Sequence, residues 1–129
     1  MSCISIGKVI KTLLVSGLSK TDVKNKIYPL IADEGTTFPF IIYRRNSITP
    51  ESDKDYTNDS ATIQIMIAAN NYAESVDLAE KVRTSLIHKS GTIQTIPVED
   101  ITLVDGSEEF IDNTFVQNLI FKITLQWQR

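Results

Sequence analysis

The sequence predicts an α+β domain: a two-layer sandwich with a mainly antiparallel sheet of about five strands and two helices on one face, in the order α-β-β-β-α-β-β. Three observations carry that expectation. Residues 4–16 and 72–89 repeat apolar side chains at helical spacing, so each needs one stripe covered. Residues 62–69 and 115–127 alternate apolar and polar side chains, as half-buried strands do. The links between the first strands are short or ribbon-like, which favours antiparallel neighbours.

In the first helix Ile6, Val9, Ile10, Leu13 and Leu14 form the stripe, with Lys8, Lys11 and Thr12 on the wet side and Gly17 placed to end it. Residues 19–25 are polar, and Thr21 or Asp22 suits the cap of a short turn. Lys26–Ala32 (KIYPLIA) reads as a short strand, and Pro29, which has no N–H to donate, makes it an edge or a broken strand. Phe38–Arg45 (FPFIIYRR) follows a turn at Gly35. Its apolar residues on both faces at 40–43 imply cover on two sides, from within the domain or from a neighbouring subunit.

Residues 46–60 (NSITPESDKDYTNDS) are the most loop-like stretch, long for a hairpin connection, and are expected to extend the two flanking strands into a ribbon with a mobile tip. Thr62–Ala69 (TIQIMIAA) then runs through Asn70-Asn71 into the second helix, Tyr72–Lys89. The expected stripe there is Tyr72, Val76, Ala79, Val82 and Leu86, widened by Leu78. Asn71 with Glu74 has the spacing of a capping box, and Gly91 is expected to stop the helix. Thr92–Val98 and Ile101–Asp105 read as strand pieces interrupted near Pro97 and Asp100, with a polar turn opening at Asp105-Gly106. In the last strand Phe115, Leu119, Phe121, Ile123, Leu125 and Trp127 share a core face, while the other face is mostly wet.

At 129 residues the chain is expected to be a single domain, 1–129, able to bury a core without disulfides or metal. The single cysteine, Cys3, allows no internal disulfide, suits a reducing compartment and is expected to be passive. No signal peptide or membrane span is expected. A net charge of −3 argues against nucleic-acid binding as the main activity. His88 is the only histidine, so histidine triads and histidine-pair metal sites are absent. No glycine-rich phosphate loop occurs, and Asp53 with Asp55 lacks the rest of a calcium loop. No enzyme, cofactor or metal is expected.

Charge is unevenly spread. Residues 1–30 carry five lysines against Asp22, whereas Glu99, Asp100, Asp105, Glu108, Glu109 and Asp112 crowd residues 99–112 without a base. The two regions are either solvated surfaces or patches of opposite sign that meet between copies. The candidate interface residues are Lys8, Lys11, Arg44, Arg45, Asp53, Lys54, Asp55, Tyr56, Glu108 and Glu109.

The layout of residues 4–127 resembles the tail-completion, or tail-terminator, proteins of long-tailed bacteriophages and prophages. The matching pieces are Tyr28-Pro29, Phe38-Pro39-Phe40-Ile41 and the strand-to-helix passage 63–86, followed by a polar turn and a long alternating strand. The acidic 99–112 segment, and the lack of a histidine before the last strand, depart from the usual pattern. The resemblance implies a structural virion protein and no catalytic residues. It implies a ring, typically a hexamer, that caps the tail tube, ends its growth and joins tail to head. Partners would be other copies, the tail tube protein and head-neck proteins, with no membrane and no specific nucleic acid. The location would be the bacterial cytoplasm during assembly and then the virion tail. In such a ring the 46–60 ribbon reaches a neighbour or the tube, and the 99–112 acids face the lysines of residues 1–30. A non-enzymatic binding module, or another neck or baseplate component on the same fold, is the alternative.

Overall fold

The computed structural model describes residues 3–23, 25–51 and 54–128. A 3₁₀ turn (Cys3–Ser5) leads into α1 (Gly7–Gly17), followed by β1 (Ile27–Pro29), β2 (Phe40–Thr49), β3 (Tyr56–Ala69) and α2 (Tyr72–Leu86). The chain ends in β4 (Gly91–Ile93), β5 (Ile96–Ile111) and β6 (Thr114–Gln128). The α+β class holds, with three corrections. Among the described residues the sheet has six strands, in the order β1-β2-β3-β6-β5-β4. It is mixed, because β1 pairs with β2 in parallel while every other pair is antiparallel. The sheet also curls, and the layers depart from a flat sandwich.

β1 is an edge strand of three residues ending at Pro29, as the missing proline N–H requires. β2 and β3 continue past the expected boundary. Ser47, Ile48 and Thr49 pair with Thr62, Ala61 and Ser60 after a bulge at Arg45/Ser47, so much of residues 46–60 is paired ribbon.

β4 and β5 are joined by Gln94-Thr95, and β5 and β6 by Asp112-Asn113, each a two-residue turn with both φ positive. That backbone matches the right-handed twist of the flanking strands. The expected interruptions at Asp100 and Asp105-Gly106 are bulges inside one continuous strand, β5, where the Asp105 carboxylate accepts from the Gly106 N–H at 2.8 Å. Pro97 lies within β5, opposite Thr92.

The core is one cluster on the helix side of the sheet. Ile41, Ile63, Ile65, Ile67, Phe121, Ile123 and Ile101 are sealed beneath Val9, Ile10 and Leu14 of α1 and Val82 and Leu86 of α2. The side chain of Trp127, expected on this face, lies outside the described set.

α2 is capped as its sequence indicates: the Asn71 side chain accepts from the Glu74 N–H at 2.8 Å. Its buried stripe is rotated from the expected one to Ser75, Leu78, Val82, Ser85 and Leu86, while Tyr72 and Val76 are exposed. Two serines fit in the core because their hydroxyls are satisfied along the helix, Ser75 by the Tyr72 carbonyl and Ser85 by the Lys81 carbonyl. The helix stops at Leu86, three residues short of expectation. His88, not Gly91, takes the left-handed conformation after it (φ 57°), and Gly91 begins β4. Gly17 ends α1 as expected and is also a point of close approach between α1 and α2. A Cβ there would lie 1.8 Å from Ser85 Oγ and 2.5 Å from Ser85 Cβ. No helix among the described residues is long and apolar enough to cross a membrane.

Candidate functional site

Two exposed surfaces stand out, at opposite edges of the sheet. The first is the tip of the β5–β6 hairpin. The register places Glu108 opposite Gln117 and Phe110 opposite Phe115, all on the helix side of the sheet. α2 reaches this end of the hairpin with Tyr72 and Ser75. The Phe115 ring lies 4.7 Å from Phe110 and meets Tyr72 edge-on at 6.1 Å.

The Glu108 carboxylate accepts from Gln117 Nε2 at 2.9 Å and from the Tyr72 hydroxyl at 2.9 Å. Gln117 in turn donates to Ser75 Oγ at 3.3 Å. These donors favour the ionised acid: the Gln117 hydrogen bond, then that of Tyr72, holds Glu108 below its usual range. The same bond, with the nearby negative charge, raises the Tyr72 phenol. The result is a shallow cavity of about 250 Å³ with aromatic walls and a fixed carboxylate. Phe110 is 58% exposed and Tyr72 50%. Such a surface suits an apolar or cationic group of a partner.

Glu109 points to the other face of the sheet, where it accepts from Asn118 Nδ2 at 3.2 Å, so the adjacent carboxylates diverge as their positions on a strand predict. Beyond Val98, β5 has no strand on its outer side among the described residues.

The second surface lies at the β1–β2 edge. A cavity of about 260 Å³ is lined by Ile4, Pro29, Leu30 and Tyr43 and rimmed by Arg44 and Arg45. Arg45 Nη1 donates to the Ile4 carbonyl at 2.9 Å, which ties the start of the chain to β2, and Arg44 Nε donates to Asn46 Oδ1 at 2.8 Å. Leu30 is held at φ 67° by its N–H bond to the Tyr43 carbonyl, yet its side chain is 73% exposed. A left-handed leucine costs about 1–2 kcal/mol, and the turn spends that strain on displaying an apolar side chain to solvent.

The remaining candidates are dispersed. Lys11 Nζ donates to the Ile27 carbonyl and serves the fold. Lys8 is exposed beside the Gln94-Thr95 turn. Lys54, Asp55 and Tyr56 are exposed at the ribbon end, and Asp53 lies outside the described residues. Thus the structure groups Arg44 with Arg45, Glu108 with Glu109, and Lys54 with Asp55 and Tyr56, and sets these groups apart from one another. On the sheet face away from the helices, where the apolar residues of β2 imply cover, Phe38 stacks on Phe40 at 5.5 Å and Ile42, Met66 and Ile120 are only half-buried. Cys3 is buried, and burial pushes its thiol up to about 11, which disfavours the thiolate at neutral pH.

Among the described residues no group of three or more acid, histidine or cysteine side chains could hold a metal ion. Tyr72, Phe110, Phe115, Gln117 and Leu30 were not candidates from the sequence. Asp112-Asn113 between two alternating runs was the available signal, since a two-residue turn there sets Phe110 against Phe115.

The fold is similar to that of a chain in the solved virion of a native gene transfer agent particle. The TM-score is 0.74 and the identity 11%, over 91% of this chain and 94% of that one. No family model and no curated protein sequence matches. At that identity the likeness is one of fold.

Proposed function

We propose that this chain is a non-enzymatic structural protein of a phage-type particle: a subunit of a ring, hexameric in the simplest form, that caps the tail tube, ends tail growth and joins the tail to the head. The observation that carries the proposal is the likeness, over nearly the full length of both chains, to a chain of a gene transfer agent virion. The two edges described above support it, because different surfaces at opposite ends of one sheet are what a head-to-tail ring requires. Its partners are further copies, the tail tube protein and neck proteins, and the role needs no catalytic group. Light scattering across a concentration series at low and high salt tests the reading, followed by mixing with tail tube protein. A discrete oligomer near six copies, or a ring that forms on tube ends, is expected. Monomers that leave tube length unchanged overturn it.

The Phe38–Phe40 stack on the open face favours a second reading, a module on the same fold that binds another virion or host protein through that face. A stable one-to-one complex with no self-association would select it.

A further inference from the structure

We propose that the β5–β6 hairpin tip of one copy seats in the apolar socket at the β1–β2 edge of the next, forming the subunit contact. That the partner is a second copy rests on the ring reading above. Within one chain the two surfaces cannot meet, because β3 and β6 stand between β2 and β5. Each is apolar and open: Phe110 and Ile111 on the tip, Ile4 and Leu30 around the socket. The socket, about 260 Å³, has room for one or two side chains of a partner.

The charges complement. Glu108, Glu109 and Asp112 surround the apolar tip, and Arg44 and Arg45 rim the socket. The ion pairs among the described residues, Lys81–Asp77 and His88–Asp100, use none of these five. The faces also agree. Glu109 and Arg44 lie on the open side of the sheet, Glu108 and Arg45 on the helix side. Two copies set edge to edge, the same way up, therefore bring each acid to an arginine on its own side. β2 beyond Tyr43 and β5 beyond Val98 are both open edges among the described residues, and such edges call for cover. Because the surfaces differ, the contact repeats head to tail and closes as a ring.

The test uses the full chain with one added cysteine at an exposed position. Leu30→Cys and Ile111→Cys chains are mixed and mildly oxidised, and the disulfide-linked dimers are identified by mass. Cross-links between the two variants should exceed either self-linked dimer by about tenfold. In parallel, Arg44→Glu and Glu109→Arg should each weaken association at low salt by about tenfold, and mixing the two variants should restore it. Oligomers by light scattering without preferred Leu30→Cys/Ile111→Cys linkage overturn this pairing and leave the ring reading in place. Monomers throughout, with no preferred linkage and no effect on tube length when mixed with tail tube protein, overturn both.

Discussion

β5 and β6 pass through two environments in one hairpin. At Ile101, Phe121 and Ile123 the helix-side residues have no exposure at all, under α1 and α2. At Phe110 and Phe115 the same face of the same two strands meets only the first turn of α2 and remains open. Apolar residues alternate on this face at both ends, although Glu108 and Gln117 interrupt them near the tip. What differs is the roof: α2 begins at Tyr72 and runs away from the tip, so the pattern that closes a core at one end offers an adhesive surface at the other.

Substitution at matched positions should separate the two halves. Phe121→Ala empties a sealed site and is expected to cost about 3–5 kcal/mol in urea unfolding. Phe110→Ala, on the same sheet face, should cost about 1 kcal/mol or less while weakening self-association. Equal losses of stability would erase the contrast.

Next in size is the contact that fixes the roof. Gly17→Ala should lower stability by about 1–3 kcal/mol through its collision with Ser85. Ser85→Gly in the same chain should recover part of that loss, because it removes both offending atoms. A strictly additive double-mutant cycle would mean that the helices part without strain.

The smallest effect concerns the tip. Glu108 is held below its ordinary value of 4.5, so its contribution to order at the tip is present above that value and is lost as pH falls through the lowered one. Tyr72 is raised from 10, so its contribution is present below 10 and lost as pH rises through the raised value. Glu108→Gln should abolish the acid-side change and return the Tyr72 absorbance titration toward 10. An unmoved tyrosine titration would break the assigned hydrogen bond.

Periodicity located both helices, the long strands and the proline-limited edge, because in each case the local pattern and the buried face coincide. It misjudged the α2 stripe because Ser75 and Ser85 are buried for size and for self-satisfied hydroxyls, which a hydropathy pattern counts as wet. It split β5 at Asp100 and Asp105 because bulges use the same residues as turns. Charge, and a place in the 46–60 ribbon, select the interface candidates. Arg44, Arg45, Glu108 and Glu109 fall on the two edges, but their apolar neighbours Leu30 and Phe110 become visible only when the turns fix which side chains stand together.

The place of β6 sets the order in which the molecule can assemble. This strand, the last of the sheet in chain order, lies between β3 and β5 and pairs with both along its length, from Ala69 opposite Phe115 to Tyr56 opposite Gln128. Until residues 114–128 are synthesised, β3 and β5 have no bridge between them and the isoleucine rows of β3 have an unclosed neighbour. The nascent chain must keep those edges apart from other nascent chains while it waits. Synthesis of β6 is thus the first moment at which both edges of the sheet are complete.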